Sequence, residues 1–139
     1  MSIINWGIIG LGNIAYKFAS AFEDVSNSKI VSVASKDPEK LSTFQKQFKI
    51  SVENCYDSYE KVLLNNEVDI VYIALPHNFH FEWIMKCISL KKNILTEKPA
   101  TINYEQMTKI NENLYKTKLF FSEGFMYRFH PQTLELINI

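Results

Sequence analysis

The sequence is poor in cysteine and histidine, and it carries no net charge. Its two cysteines, Cys55 and Cys87, lie in different segments without the spacing of a zinc site or a disulfide framework, so we expect buried, reduced thiols. The three histidines also lack metal-ligand spacing, so we predict no metal site. Fifteen Lys and Arg balance fifteen Asp and Glu, and neither nucleic acid nor a membrane surface is therefore favoured as a partner.

Long hydrophobic runs are missing as well. No stretch reaches the length of a membrane span, and no basic leader precedes the short apolar run at the N-terminus, which predicts a cytoplasmic protein. There is no internal repeat, low-complexity tract or linker. The 139 residues are 47% hydrophobic and 14% aromatic, which is enough to build the core of one domain.

Residues 6–15 (Trp-Gly-Ile-Ile-Gly-Leu-Gly-Asn-Ile-Ala) predict a strand, a tight turn and the start of a helix. Gly10 and Gly12 lack side chains where a backbone would bend and approach a diphosphate, and the small Ala15 lets the helix pack close to the strand. The N–H groups at the helix start would then face the anion. A tight turn without a ligand would show the same pattern, so the rest of the chain has to decide.

Strands and helices alternate along the rest of the chain. Asp37 predicts a helix N-cap followed by proline at the first helical position, and a final helix is predicted after Pro131. Strands are predicted at residues 3–9, 29–35, 54–56, 68–75, 93–96 and 119–122, with helices between them. This alternation predicts an α/β fold in a single domain, a Rossmann-type doubly wound parallel sheet with right-handed crossovers.

Clusters of glycine or polar residues follow five of the predicted strands. They are Gly10 with Gly12, Ser35 with Lys36, Pro76-His77-Asn78, Glu97-Lys98-Pro99 and residues 124–130. In an open α/β sheet the carboxyl ends of the strands form the edge where ligands bind, at the point where the strand order reverses. The five clusters together therefore predict a ligand site at that edge.

Ser35 lies twenty residues after Ala15, about where a Rossmann domain that prefers NAD carries an acidic residue for the ribose 2′-hydroxyl. Ser35 and Lys36 instead offer a hydroxyl and an ammonium, which fit a 2′-phosphate better. The pair predicts NADP as the favoured cofactor, with NAD still possible. Lys36 could equally be a solvated turn residue, and Asp37 is interpreted only as a helix cap.

Lys98 is the candidate catalytic residue. An ammonium held between a carboxylate and a proline at the crevice could hydrogen-bond a substrate hydroxyl and favour an alkoxide-like transition state. Pro99 would restrict the backbone of Lys98. Taken alone, Glu-Lys-Pro is also an ordinary surface turn.

The histidines offer weaker candidates. His77, Asn78 and His80 follow the longest predicted strand, close enough to reach a nicotinamide or ribose, although His80 could instead cap the next helix. Arg128 and His130 lie in an aromatic segment that would line a pocket or belong to the core or an interface.

Taken together, these motifs resemble the glucose-fructose oxidoreductase / inositol dehydrogenase / rhizopine-catabolism family of pyridine-nucleotide oxidoreductases, across essentially the whole chain. Within it the sequence is similar to the dihydrodiol and aldose dehydrogenase branch, which tends to use NADP. The resemblance implies hydride transfer at a sugar or cyclic-polyol carbon, with Lys98 beside the nicotinamide and the substrate. The predicted cofactor contacts are Gly10, Gly12, Asn13, Ile14, Ser35, Lys36, Leu75, Pro76, His77, Asn78, His80, Glu97, Lys98 and Arg128.

The resemblance also implies a second, α/β domain that carries further substrate ligands and the usual oligomer interface. We interpret residues 1–123 as the nucleotide-binding domain and residues 124–139 as the start of a connection to that domain, whose apolar end includes Leu134, Leu136, Ile137 and Ile139. The isolated chain is then expected to be inactive until the missing domain is supplied, in cis or in trans, or in a homo-oligomer. A nucleotide-binding module without turnover and a decayed fragment remain alternatives.

Overall fold

Six parallel strands form a single sheet in the computed structural model, which describes residues 3–137. The strands are β1 (Ile4–Ile9), β2 (Ser28–Ala34), β3 (Cys55–Tyr56), β4 (Ile70–Ile73), β5 (Asn93–Thr96) and β6 (Phe121–Glu123). The order across the sheet is β3-β2-β1-β4-β5-β6, and every neighbouring pair is parallel. The chain winds outward twice from β1 and β4, so the predicted Rossmann-type fold is confirmed.

Residues 3–137 form six α-helices. They are α1 (Asn13–Ser20), α2 (Pro38–Phe48), α3 (Tyr59–Leu64), α4 (His80–Ser89), α5 (Tyr104–Tyr115) and α6 (Pro131–Ile137). The first five cover the two faces of the sheet, while α6 follows the 3-10 turn Met126–Phe129 and buries no residue. Side chains of a strand alternate between its faces, and two cores result. Ile9 and Ile73 pack with residues of α3, α4 and α5, whereas Ile8 and Tyr72 pack with residues of α1 and α2 on the opposite face.

Local capping explains where two helices begin. The Asp37 carboxylate accepts hydrogen bonds from the N–H groups of Glu39 and Lys40 at 3.0 and 3.1 Å, ahead of α2. The Asn103 side chain accepts one from the N–H of Gln106 at 2.9 Å, ahead of α5. Both caps satisfy N–H groups that have no acceptor inside their helix, and the Asp37 cap agrees with the sequence prediction.

Some element boundaries differ from the prediction. β4 is two residues shorter at each end than 68–75. β6 starts at Phe121 instead of residue 119; the carbonyl oxygen of Phe120 accepts from Ile94 N of β5 at 2.9 Å, but the N–H of Phe120 donates to the Asn93 side chain at 3.0 Å and not to the strand backbone. α1 ends at Ser20, and a short 3-10 turn, Ala21–Asp24, follows it before β2.

Both cysteines are free thiols, but only one of them is buried as predicted. Cys87 lies in the core, where burial raises the pKa of its thiol to about 12. Cys55 is half-buried instead, because it lies on β3, the two-residue strand at the edge of the sheet. Within residues 3–137, no helix is both long enough and apolar enough to cross a membrane. Ile139, the last apolar position of the predicted connection, lies outside the described residues.

Candidate functional site

Backbone hydrogen bonds beyond the strand ends bring the five predicted clusters to one edge of the sheet. The first residue past each of these strands donates to the strand beside it. These bonds run from Gly10 N to Ala34 O (3.0 Å), Ser35 N to Tyr56 O (3.1 Å), Ala74 N to Ile9 O (2.9 Å), Glu97 N to Ile73 O (3.0 Å) and Gly124 N to Thr96 O (2.8 Å). The chain reverses its strand order between β1 and β4, so the glycine turn lies at the position where α/β sheets bind ligands.

The two glycines of the turn differ in what a side chain there would meet. Gly10 has φ = +87°, and a Cβ there would lie 2.7 Å from the carbonyl oxygen of Ala74, so only glycine fits. A Cβ on Gly12 would meet no atom within 4 Å. Gly12 is the N-cap of α1, no side chain caps that end, and the first turn holds no acidic residue. The fold itself therefore leaves space and unpaired N–H groups for an anion in front of α1.

A groove of about 430 Å³ surrounds this turn, and we call it the glycine groove. It is open to solvent and lies beside the point where the strand order reverses, between β1 and β4. Its lining residues are Gly10, Leu11, Gly12, Ser35, Lys36, Asp37, Lys40, Tyr59, Ala74, Leu75 and Pro76. Six of the predicted cofactor contacts are in this set, so the structure gathers residues from three separate turns into one groove.

Two cationic side chains stand at the β2 end of the glycine groove. The Lys36 ammonium lies 5.3 Å from the centroid of the Tyr59 ring, and the Lys40 ammonium lies 3.8 Å from the Asp37 carboxylate. The buried hydroxyl of Ser35 accepts a hydrogen bond from the N–H of Asp37 at 3.1 Å, and its own proton can still be donated to a ligand. This end of the groove can hold a phosphate group.

Sequence reasoning missed Lys40 and Tyr59. Lys40 could have been found, because it lies three residues after the cap Asp37 and so in the first turn of a helix that starts at the groove. Tyr59 opens α3, a separate segment of the chain, and only the fold places its ring beside Lys36.

A second groove of about 480 Å³ continues from the first, since Lys36, Tyr59, Leu75 and Pro76 line both. Its other lining residues come from α3, α4 and the turn before α4, and they include the rings of Phe79 and Trp83. We call it the aromatic groove. The exposed Phe79 ring and the apolar side chains of Leu75 and Pro76 suit a planar ring. The Trp83 ring is covered by the Lys86 ammonium, which lies 4.0 Å from its centroid, and charged side chains line the rest of the groove.

The segment that carries Lys98 is fixed on both sides. The Tyr72 hydroxyl donates to the Glu97 carboxylate at 2.5 Å, and the N–H of Ala100 donates to the Glu123 carboxylate at 2.8 Å. Lys98 itself is exposed, and its peptide bond to Pro99 is cis. Burial of the ring, and then the adjacent Glu97 carboxylate, raise the pKa of Tyr72 far above its usual range, so its hydroxyl remains a donor.

His80 does not have the predicted role of a cofactor contact, and we correct that prediction. Its side chain is 1% exposed, and its two ring nitrogens lie 2.7 Å from the carbonyl oxygens of Pro99 and Leu75. Both polar atoms of the ring are therefore engaged inside the protein. His80 is also not the N-cap of α4, which is Phe79.

The remaining predicted contacts lie at the edge but outside the glycine groove. His77 and Asn78 are exposed on a short 3-10 turn, His77–Phe79. Asn13 is exposed at the start of α1, while Ile14 lines an apolar groove on the α1 face of the sheet together with Glu97. Arg128 lies in a different depression, formed with residues of β6 and α6.

A family model described as "Oxidoreductase family, NAD-binding Rossmann fold" matches residues 4–125. The chain belongs to this family. The match covers the whole sheet and every turn at its carboxyl edge except the segment after Phe125. It agrees with the family that the sequence motifs resemble.

Relatives in this oxidoreductase family include sugar and diol dehydrogenases. The chain is 30% identical over 128 residues to trans-1,2-dihydrobenzene-1,2-diol dehydrogenase of Xenopus tropicalis, covering 91% of this chain and 38% of that protein. It is 29% identical over 128 residues to D-xylose 1-dehydrogenase (NADP(+)) 2 of Haloferax volcanii, covering 92% and 39%.

Solved structures agree in fold. A 3-ketoreductase from Actinomadura kijaniata in complex with NADP superposes with a TM-score of 0.89 at 28% identity, covering 99% of this chain and 43% of that one. The chain thus spans about two fifths of the length of the proteins it matches.

Proposed function

We propose that this chain is the NADP-binding domain of an oxidoreductase that transfers a hydride between the nicotinamide and a CH–OH carbon of a sugar or cyclic diol. The observation that carries the proposal is the open space at Gly12. Protein packing does not require glycine there, yet a side chain would occupy the space in front of the uncapped start of α1. A diphosphate that uses this space would explain the residue.

The groove residues can hold the rest of a phosphorylated dinucleotide. Ser35, Lys36 and Lys40 would bind the 2′-phosphate through one hydroxyl and two ammonium groups. The aromatic groove beside them would take the adenine. The NADP in the name of the Haloferax enzyme and in the Actinomadura complex supports NADP over NAD.

At the other end of the site, Lys98 would act on the substrate. Its ammonium would donate a hydrogen bond to the reacting oxygen and favour the negative charge that develops on it, as general acid or base according to direction. The bound dinucleotide supplies the hydride or accepts it. Tyr72 and Glu123 serve this step indirectly, because they hold the segment from which Lys98 projects.

The substrate ligands and the partner base are proposed to come from a C-terminal α/β domain to which residues 124–139 begin the connection, with a homo-oligomer as a second route to a complete site. The relatives, more than twice as long as the matched region, support this. So does the apolar groove of about 350 Å³ on the α1 face, with Met126 and Phe129 exposed beside it. The two free cysteines support a cytoplasmic location.

The cofactor assignment is tested by titrating the chain with NADPH and with NADH, following the fluorescence of the nicotinamide. We expect NADPH to bind more tightly, and Lys36→Ala to weaken NADPH binding about tenfold or more while changing NADH binding little, since it removes one charge-assisted contact to the 2′-phosphate. Lys109 lies at an exposed position on α5, and Lys109→Ala is the control for loss of a positive charge. Equal affinities for both cofactors would contradict the 2′-phosphate assignment.

A further inference from the structure

His80 is buried with two hydrogen-bond acceptors and no evident donor around its ring. Nδ1 lies 2.7 Å from the Pro99 carbonyl oxygen, and Nε2 lies 2.7 Å from the Leu75 carbonyl oxygen. Only 1% of the residue is exposed, so water cannot take the place of either partner. Both nitrogens are at full hydrogen-bond distance, and each of them therefore needs a proton.

A carbonyl oxygen can only accept a hydrogen bond, and a neutral imidazole carries one N–H and one bare nitrogen. A neutral ring would set a nitrogen lone pair against a carbonyl lone pair at 2.7 Å and leave both unpaired in the core. We propose that His80 is a buried imidazolium that positions Lys98, by tying the Pro99 carbonyl to the Leu75 carbonyl. This inference rests on the proposed role of Lys98.

The surroundings of the ring both oppose and support a cation. His80 is the first residue of α4, and the positive end of a helix disfavours a cation. The two carbonyl dipoles point their oxygens at the ring. Glu82, in the first turn of α4, is exposed and paired with Lys86 at 2.8 Å, so it gives the ring no direct counter-charge, whereas the Glu123 carboxylate accepts from Ala100, the residue after Pro99. The two charge-assisted hydrogen bonds oppose both the helix end and the cost of burying a cation, while a neutral ring would leave a nitrogen and a carbonyl oxygen unpaired in the core.

The two carbonyls belong to the two functional ends of the site. Leu75 lines the glycine groove and the aromatic groove, while Pro99 directly follows Lys98. Glu97, on the other side of Lys98, is fixed by its N–H bond to Ile73. The hydrogen bond from His80 fixes Pro99, so the backbone is held on both sides of Lys98. His80 thereby sets the position of the Lys98 backbone relative to the cofactor groove, without touching cofactor or substrate itself.

The protonation state is read directly by NMR of the chain carrying ¹⁵N-labelled histidine, near neutral pH and without ligand. We expect the His80 ring to show two protonated nitrogens, with ring protons that exchange slowly with water. His77→Asn and His130→Asn, which alter exposed histidines, assign the signals. One bare nitrogen in the His80 ring would overturn the proposal.

The positioning role is read by hydrogen exchange in two matched variants. An asparagine side chain places its amide near Nδ1 and a glutamine side chain near Nε2, so His80→Asn keeps the donor to Pro99 and His80→Gln keeps the donor to Leu75. We expect the amide of Ala100 to exchange about tenfold faster in His80→Gln than in His80→Asn, with the central strand amide of Val71 unchanged in both. Equal exchange at Ala100 in the two variants would overturn the role.

The two measurements are independent of the cofactor assignment, since neither needs a ligand. NADPH titration of the wild-type chain tests that assignment separately. If NADPH binds and His80 is an imidazolium, we further expect the affinity for NADPH to fall more in His80→Gln than in His80→Asn.

Discussion

At residue 12 the fold tolerates a side chain and the proposed ligand does not. Gly12 has φ = −86°, which alanine adopts easily, and the space beyond its Cα is empty, whereas Gly10 has a left-handed backbone and the Ala74 carbonyl beside it. Sequence pattern alone treats both as one glycine motif. The structure separates Gly10, which the turn requires, from Gly12, which the turn does not require and for which the proposed ligand would account.

Substitution of the two glycines should therefore separate stability from binding. We expect Gly12→Ala to change the free energy of unfolding by less than about 1 kcal/mol, because lower entropy of the unfolded chain offsets a poorer cap, while NADPH affinity falls at least about tenfold. Gly10→Ala should lower both stability and affinity. Urea unfolding and NADPH titration measure the two effects. Unchanged affinity in folded Gly12→Ala would contradict the proposed diphosphate position.

The hydrogen bond between Tyr72 and Glu97 gives a second prediction at this scale. Tyr72→Phe leaves the Glu97 carboxylate without its donor and should cost about 1–3 kcal/mol of unfolding free energy near neutral pH. The pKa of Tyr72 is raised in the folded state by burial and by Glu97. Its contribution is therefore complete below pH about 10, the usual tyrosine pKa, and is lost as pH rises above it.

Urea unfolding at a series of alkaline pH values checks this, since the difference between wild type and Tyr72→Phe should shrink above pH about 10. Tyr16 lies at a half-buried position on α1, and Tyr16→Phe is the matched control for removal of a tyrosine hydroxyl. If Tyr72→Phe lowers the free energy of unfolding no more than Tyr16→Phe does, the hydrogen bond between Tyr72 and Glu97 does not stabilise the segment that carries Lys98.

At the start of α2, one residue, Asp37, has two effects. Asp37 caps its start through two N–H groups, and its charge also lies in the glycine groove beside Lys40. Asparagine caps as well as aspartate but carries no charge. We expect Asp37→Ala to lower the free energy of unfolding by about 1 kcal/mol, and Asp37→Asn to leave it nearly unchanged. Both should bind NADPH at least as tightly as wild type, because a negative charge has left the anion site.

Chemical denaturation and NADPH titration of the two variants check this pair of effects. Weaker NADPH binding in Asp37→Asn would show that the carboxylate itself contacts the cofactor, contrary to its interpretation as a cap alone.

The contact between α3 and α4 depends on pH. The Lys86 ammonium lies 2.9 Å from the Glu60 carboxylate and 4.0 Å from the centroid of the Trp83 ring. The hydrogen bond from Lys86, aided by a smaller one from Ser58, lowers the pKa of Glu60 to about 2. Because this folded-state value lies below the unfolded one, the stabilisation is present above pH about 4.5 and is lost as pH falls toward 2.

We expect Glu60→Gln to be less stable than wild type at pH about 6 and the difference to vanish as pH falls from about 4.5 toward 2. Urea unfolding across that range measures it. Glu112→Gln, at an exposed position on α5, should show no such dependence. A pH-independent difference for Glu60→Gln would rule out the ion pair as its cause.

Elements could be predicted from sequence wherever the interaction is local. The caps Asp37 and Asn103 act within three residues, and the strands are short apolar runs. Contacts between distant segments could not be predicted. Tyr72 reaches Glu97 only because β4 lies beside β5 and alternation turns the ring to the α1 face, and His80 meets Pro99 only because α4 begins beneath the turn after β5.

At the scale of the whole molecule, the parallel sheet gathers six of the predicted cofactor contacts into the glycine groove and leaves Lys98 exposed at its edge. The glycine groove draws on the turns after β1, β2 and β4, all of which lie within the described chain. The fold therefore holds a groove for the proposed cofactor that residues 3–137 line by themselves. The substrate side of Lys98 is different, because the proposed partner base comes from another domain.

If the cofactor groove and the partner base lie in different domains, this chain alone should bind NADPH without catalysing the reaction. We expect the chain alone to bind NADPH and to show no change in NADPH absorbance with aldoses or cyclic diols as substrates. A chimera in which the chain replaces the matching two fifths of the Haloferax D-xylose 1-dehydrogenase should oxidise a sugar, and Lys98→Met should abolish this while NADPH still binds. Turnover by the chain alone would contradict the need for a second domain. A chimera that binds NADPH and stays inactive would instead favour a nucleotide-binding module without catalysis.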